Sequence, residues 1–247
     1  MTEQEIVIEN LEKPIKSLKS SKKVFENLLE HNDNSKSPME KNIESPKEQS
    51  NNLKLFDIYD VSTVEIKDPS LRPYLNIKPK LLLKSQGRNV GKFGKAKVNI
   101  LERLANRVAV SGHIGKKHKL ITSHASGQYN KNMKTVLEVL SLIEKKTNKN
   151  PMQVLVNAII NGSPRDEITV IEHAGARYPQ AVDCSPVRRI DLALRWMTQG
   201  AHQKSFGKKK KIAQALADEI IKASESNMES YSYSKKNEAE KQADSAR

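Results

Sequence analysis

Residues 150–197 decide the fold, and they read NPMQVLVNAIINGSPRDEITVIEHAGARYPQAVDCSPVRRIDLALRWM. Asn150 can cap a helix whose first position is Pro151, a place that suits proline because its missing N–H would have no partner there. Apolar residues then recur at helical spacing up to Asn161-Gly162, which predicts a helix. Ser185-Pro186 repeats the start signal of a helix. The inner stripe of this second helix is Val187, Ile190, Leu194, Met197 and Ala201.

Between these helices the spacing of apolar residues changes to that of a β-strand. Ser163-Pro164-Arg165 breaks the helical spacing, and Ile168, Val170 and Glu172 then alternate with Thr169, Ile171 and His173 before a turn at residues 174–176. Residues 177–184 contain Pro179, which excludes a central strand but suits a two-stranded ribbon. Two strands alone are marginal in water, so the hairpin needs support from the helices or from a partner, and we favour a partner.

Further stripes at helical spacing flank this region. They are Val98, Leu101, Ala105 and Val108; Met133, Val136, Leu137, Leu140 and Ile143; and Ile212, Leu216 and Ile220. We therefore predict a mainly α-helical fold, a bundle of about six helices with a protruding two-stranded hairpin near residues 166–184. The helical domain is expected to cover residues 97–247.

Positive charge is unevenly distributed along the chain. The net charge is +14 and the pI is about 9.7, which indicates a polyanionic partner. Residues 1–55 contain nine Lys and ten Asp or Glu, a net charge of −1, so residues 56–247 carry +15. The first 55 residues are also polar, and residues 31–51 hold almost no large apolar side chain. This composition predicts a flexible N-terminal extension.

Residues 56–96 form a predicted basic arm. Gly87, Gly91 and Gly94 interrupt any helix in the arm and let backbone N–H groups approach phosphates beside the lysines. These glycines do not form a P-loop, because neither Gly91-Lys92 nor Gly115-Lys116 is followed by Ser or Thr.

A second basic run, residues 208–211, lies just before a predicted helix. Four cations there oppose the helix dipole, so local stability does not explain them, whereas a bound phosphate would. Arg188 and Arg189 lie off the apolar stripe of their helix and are expected to face solvent or phosphate. We predict that RNA is bound by Lys84, Arg88, Lys92, Lys95, Lys97, Lys116, Lys117, His118, Lys119, Arg165, Arg177, Arg188, Arg189, Lys208, Lys209, Lys210, Lys211, Lys235 and Lys236.

The composition argues against several other classes of protein. A single cysteine, Cys184, excludes an intramolecular disulfide, and six scattered histidines do not indicate a zinc site, so no metal or cofactor is predicted. No apolar run is long enough to span a bilayer, and glutamates interrupt the one mildly apolar stretch near the start. We therefore expect a cytoplasmic protein that does not bind membranes.

Two alternative functions stay open at this point. An RNA-processing enzyme would need His113, His118 or His124 beside a carboxylate or lysine arranged for acid–base chemistry, and the sequence contains no such constellation. Another basic RNA- or DNA-binding architectural protein would share the same charge, but no sequence feature selects a groove of duplex DNA.

The order of residues from about position 56 to the end resembles the family of the universal seventh protein of the small ribosomal subunit. The motifs that carry the resemblance are FGKAKVNILERL (93–104), GKKHK (115–119), NPMQVLVNA (150–158), SPR (163–165), AVDCSPVRR (181–189) and LALRW (192–196). Tyr178-Pro179 and residues 191–195 are more similar to the archaeal branch than to the eukaryotic one. Cys184 stands where the family usually has a small aliphatic residue, so we expect it to be buried.

The resemblance implies a function as well as a fold. A member of this family would be a structural, non-enzymatic protein that binds the 3′ major domain of small-subunit rRNA and nucleates assembly of the head. The hairpin and the nearby basic surface would lie close to mRNA and the exit-site tRNA, with Arg165, Arg177 and residues 185–189 at the matching positions. Neighbouring head proteins, such as the ninth and eleventh of the small subunit, would be partners.

Overall fold

The computed structural model describes residues 54–80, 83–85, 91–112 and 127–247. These ranges contain six α-helices: α1 (Ile100–Val108), α2 (Tyr129–Thr147), α3 (Pro151–Gly162), α4 (Pro186–Ser205), α5 (Ile212–Ser224) and α6 (Tyr231–Ser245). The strands β1 (Asp166–His173) and β2 (Ala176–Asp183) lie between α3 and α4, and a 3-10 helix (Gly94–Lys97) precedes α1. The prediction of a mainly helical fold with one hairpin is confirmed. Apart from its last two residues, the predicted N-terminal extension lies outside the described residues.

The helices start where the sequence signals predict. The Asn150 side chain accepts a hydrogen bond of 3.0 Å from the N–H of Met152, and Pro151 occupies the first turn of α3. Asn99 caps α1 in the same way, accepting from the N–H of Leu101 at 3.0 Å. Helix α4 begins at Pro186 as predicted, but Ser185 forms no side-chain cap. Its start therefore depends on the proline, whose fixed φ angle suits the first helical turn.

Helix α5 lies at the centre of the helical core. It packs against α2, α3 and α4, and its Leu216 and Ile220 are fully buried. Alanines 213, 215, 217 and 223 are also buried on this helix, and their small side chains let the neighbouring helices approach closely. The largest buried side chains around α5 include Leu140, Leu155, Ile159 and Leu194. The predicted stripes of α2, α3 and α4 thus meet on one central helix.

The segment before α1 is attached to the same core. Leu71 and Leu75 of the arm predicted over residues 56–96, and Leu55 just before it, belong to the buried hydrophobic cluster, although the arm was predicted from its lysines and glycines. The backbone N–H of Ile100 donates to the carbonyl of Asn76 at 3.0 Å, which joins this segment to the start of α1. The described part of the arm is therefore anchored by apolar side chains that the sequence interpretation did not single out.

The hairpin has the register that a two-residue turn imposes. β1 and β2 are antiparallel, and Val170 lies opposite Pro179. Ala174 and Gly175, at the turn, have φ angles of 50° and 82°. Positive φ at both central residues is the twist that closes a tight hairpin, and glycine adopts it without steric cost.

The base of the hairpin leans on the last helix. Helix α6 packs against β1, and the backbone N–H of Arg165 donates to a carboxylate oxygen of Glu240 at 3.0 Å. The distal part is open: Val170, Ile171 and Tyr178 are all exposed hydrophobic side chains. Of the two supports considered for the hairpin, the helices therefore hold the base, and the distal half is exposed.

No helix within the described ranges is long and apolar enough to cross a bilayer.

Candidate nucleic-acid interface

The exposed cations of the predicted set lie on three parts of the described chain: the segment before α1, the flanks of the hairpin and the loop before α5. Exposed members of the predicted set are Lys84, Lys92, Lys95, Lys97, Arg165, Arg177, Arg188, Lys208, Lys209, Lys210 and Lys211. Lys235 and Lys236 are half-buried on α6, and Arg189 is buried. Arg88, Lys116, Lys117, His118 and Lys119 lie outside the described residues. Which of the exposed cations are free for phosphate depends on their carboxylate partners.

The loop before α5 presents the densest positive charge. Lys210 is paired with Asp218, which also binds Lys146 of α2. Among the described residues, Lys208, Lys209 and Lys211 form no ion pair. Lys211 is the N-cap of α5 and its side chain cannot accept a hydrogen bond, so no side chain at that position caps the first N–H groups of α5. Three unpaired cations beside a helix N-terminus form a favourable site for phosphate oxygens.

The turn before α1 combines cations with an exposed aromatic ring. Phe93 is 64% exposed and has a φ angle of 61°, a conformation that L-residues seldom adopt. The Lys92 ammonium lies 5.5 Å from the centre of its ring, and Lys97 is exposed nearby in the chain. An exposed ring between lysines is a surface on which an unpaired base can stack.

Lys95 has a carboxylate partner that the sequence did not predict. It forms an ion pair with Asp191 of α4, whose second oxygen accepts from Arg103 of α1 at 3.0 Å. Burial acts to raise the pKa of Asp191, but the hydrogen bonds and charges of these two cations outweigh it and hold the pKa below its ordinary value. Lys95 therefore helps to join the 3-10 helix to α4 and is only partly available to RNA.

Arg189 corrects an expectation. It was expected to face solvent or phosphate, but it is 8% exposed. Its guanidinium donates to Asp68 Oδ2 at 2.9 Å, to Ser70 Oγ at 2.6 Å and to the carbonyl of Pro164 at 3.2 Å. Because these oxygens satisfy the guanidinium inside the protein, Arg189 holds the fold together. Its position off the apolar stripe is explained by this buried polar site.

The arginines at the hairpin flanks are exposed, with differing partners. Arg188 pairs with Glu167 of β1, and Arg177 pairs with Glu172 across the hairpin at 3.4 Å. Both pairs lie at the surface, where the attraction is weak and easily exchanged for a phosphate. Arg165 is exposed, and its side chain forms no ion pair within the described ranges.

The remaining predicted lysines lie over aromatic rings. The Lys84 ammonium is 5.5 Å from the ring centre of Tyr129, and Lys236 is 5.6 Å from that of Tyr233. Burial and the charge of Glu102 raise the pKa of Tyr129 to about 12, so its hydroxyl is protonated at neutral pH. Lys235 pairs with Glu238 on the same helix. The aromatic contacts keep the lysine stems ordered without neutralising their charge.

Sequence reasoning missed several cations that line clefts. Lys67 lines a cleft of about 460 Å³ beside the hairpin base, together with Arg165 and Lys236. Arg103 and Arg107 line another, between α1 and α4. Arg103 and Arg107 are four residues apart on a predicted helix and so lie on one face, a spacing that could have indicated a basic surface there.

The described residues hold no cluster of His, Cys, Asp and Glu that could bind a metal. Cys184 is buried as expected, and burial together with the charge of Glu167 raises the pKa of its thiol to about 11. A thiol with so high a pKa is protonated at neutral pH and is a poor nucleophile. The exposed cations of the predicted set suit the binding of a polyanion.

Comparison with known proteins identifies the family. Residues 77–247 match the family model described as Ribosomal protein S7p/S5e. The small ribosomal subunit protein uS7 of Nanoarchaeum equitans is 49% identical over 196 residues, which are 79% of this chain and 99% of that protein. The uS7 proteins of Methanococcus maripaludis strain C6 and Archaeoglobus fulgidus are each 44% identical, over 79% of this chain and 99% and 95% of theirs. The chain therefore belongs to the ribosomal protein S7p/S5e family, and the relatives it matches here are archaeal.

Proposed function

We propose that this chain is a structural, non-enzymatic component of the cytoplasmic small ribosomal subunit that binds the 3′ major domain of rRNA and nucleates assembly of the head. Family membership supports the ribosomal role. The observation that supports RNA binding is the placement of three cations that form no ion pair with the described residues. Lys208, Lys209 and Lys211 lie at the N-terminus of α5, where the positive end of the helix dipole repels them, and a bound anion would offset this repulsion.

The salt dependence of binding tests this proposal. Affinity of the full chain for 3′ major domain RNA should fall steeply with salt, and each phosphate contact should contribute roughly 0.7 to 0.9 to the log–log slope. Replacing Lys208, Lys209 and Lys211 by Gln should lower the slope by about 2. Lys145, Lys149 and Lys241 are exposed and outside the predicted set, so the triple Gln variant at these positions is a charge-matched control.

A flat salt response of the wild-type chain would contradict RNA binding through phosphates. Equal losses in the two triple variants would mean that only total charge matters. Equal affinity for duplex DNA of the same length, at physiological salt, would favour the alternative of a general nucleic-acid-binding architectural protein.

We also propose that the distal hairpin lies near mRNA and the exit-site tRNA, with the ninth and eleventh proteins of the small subunit as neighbours. The exposed side chains of Val170, Ile171 and Tyr178, with Arg177 beside them, support a contact that is made only in the assembled particle. A photo-crosslinking residue in place of Tyr178 should capture tRNA or mRNA in translating subunits. The same residue in place of Ile58, an exposed side chain far from the hairpin in sequence, is the control.

A further inference from the structure

Helices α1 and α4 pack together in a register that leaves one turn without a carboxylate. Arg103 and Arg107 lie four residues apart on α1, and Asp191 and Arg195 lie four residues apart on α4. Arg103 pairs with Asp191 at 3.0 Å. One turn further along the helices lie Arg107 of α1 and Arg195 of α4, so two positive charges follow the ion pair.

A cleft of about 300 Å³ opens at this place. It is lined by Ser85, Lys95, Val98, Arg103, Asn106, Arg107 and Asp191. The lining contains three cations and one carboxylate, and that carboxylate is already shared by Lys95 and Arg103. The lining therefore keeps an excess of positive charge.

Two guanidinium groups in this cleft have unused hydrogen-bonding capacity. Arg103 is 3% exposed, and its Nε has no hydrogen-bond partner among the described residues. Arg107 is half-buried and forms no ion pair within the same ranges. Burial and then the positive charge of Arg195 lower the pKa of Arg107, the charge of Asp191 acts in the opposite direction, and Arg103 lowers the pKa further. A buried donor and a crowded cation both cost free energy that an anion would offset.

We propose that this cleft is a binding site for a phosphate group, held by Arg107 and Arg103 with Lys95 beside them. Asn106 adds a neutral donor, whereas the Ser85 hydroxyl already donates to Glu102 at 2.7 Å, and the cleft is large enough to admit a phosphodiester. A backbone phosphate of rRNA and a free phosphate ion present the same chemistry to this cleft. The inference that rRNA supplies the phosphate rests on the proposed function. Planar guanidinium groups that offer paired N–H donors suit either source.

Thermal melting of the full chain tests for the site itself. Sodium phosphate should raise the melting temperature of the wild-type protein above its value in sodium chloride of equal ionic strength, and Arg107→Gln should abolish this shift. In chloride the Arg107→Gln protein should melt close to wild type, because Arg107 forms no ion pair with the described residues and its repulsion by Arg195 outweighs its attraction to Asp191. Lys134→Gln, on an exposed face of α2, removes the same charge and should keep the phosphate shift.

Binding of 3′ major domain RNA distinguishes the two sources of phosphate. If RNA supplies it, Arg107→Gln should lower the log–log salt slope by roughly 0.7 to 0.9, while Lys134→Gln changes it less. If Arg107→Gln loses the phosphate-dependent rise in melting temperature but keeps the log–log salt slope of RNA binding, the site is supported and its ligand is a free phosphate ion. If Arg107→Gln keeps both the shift and the slope, the site is disproved, even where wild-type RNA binding is intact. Loss of salt dependence in the wild-type chain would instead contradict the proposed function.

Discussion

Arg189 and Asp68 form an ion pair of 2.9 Å, although 121 positions separate them in the chain. Arg189 lies in the first turns of α4, and Asp68 lies in the segment before α1. The same guanidinium donates to the carbonyl of Pro164 at the start of the hairpin. One buried cation thus joins the anchored segment, the hairpin base and a core helix.

Arg189→Gln should lower the free energy of unfolding by about 3 kcal/mol, since it leaves the Asp68 carboxylate and neighbouring oxygens without their charged donor. Arg188→Gln is the matched control, because the Arg188 side chain is exposed and its pair with Glu167 is worth less than about 1 kcal/mol. Urea denaturation measures both. Equal losses in the two variants would contradict the structural role of Arg189.

Asp191 should make stability depend on acid pH. Its folded-state pKa is lowered, so its contribution is present above the ordinary carboxylate pKa and is lost as pH falls through the folded value. At pH 7, Asp191→Asn should cost about 3 kcal/mol, because Arg103 stays buried without its counter-charge. The difference in the free energy of unfolding between Asp191→Asn and wild type should become smaller below about pH 4. Urea denaturation at pH 7 and pH 3 measures it, and a constant difference would contradict the assignment.

Glu219 should control how firmly α6 is held. Its buried carboxylate accepts from Lys204 Nζ at 2.6 Å, Ser230 Oγ at 2.8 Å and the N–H of Ser232 at 3.1 Å. Glu219→Gln should lower stability by about 2 kcal/mol, because it removes the charge that the buried donors face. Amide hydrogen exchange should rise first in residues 231–245. Asp218→Asn, at the preceding and more exposed position, should leave amide exchange in residues 231–245 unchanged.

Gly200 is required for the close approach of α4 and α6. A Cβ placed there would lie 2.6 Å from Tyr231 Cβ, closer than side chains tolerate. Gly200→Ala should destabilise the protein by about 2 kcal/mol through overpacking, even though alanine favours a helix. Gly91→Ala is the control, since nothing lies within 4 Å of its added methyl group. Thermal melting measures both, and equal melting temperatures would contradict this packing.

Cys184 should react slowly in the folded protein. With a pKa of about 11, about one thiol in a thousand is ionised at pH 8, and the side chain is buried. Alkylation by iodoacetamide, followed by mass spectrometry, should be at least 100-fold slower than in guanidinium chloride. Similar rates in the two conditions would show that the thiol is accessible in the native state.

Local features of the chain predicted α1 to α5 and the hairpin, whereas no apolar stripe indicated α6. Pro151 and Pro186 mark the starts of α3 and α4, and the alternation after Arg165, with Gly175 at the turn, predicts the hairpin. These signals depend on caps, on fixed φ angles and on the spacing of apolar residues within a few turns, so they can be recognised without knowing the fold. The burial of Cys184 was also predicted, from the family resemblance.

The partners of charged residues could not be predicted in the same way. The sequence determined five of the helices in the described ranges, the hairpin and an excess of cations, because those properties depend on near neighbours and on composition. Only the tertiary structure decided that Arg189 is buried beside Asp68, that Lys95 and Arg103 share Asp191, and that Arg107 forms no ion pair with any described carboxylate. Whether a cation binds protein or faces outward depends on which distant segments pack against it, and residues 121 and 88 positions apart meet only once the core has formed.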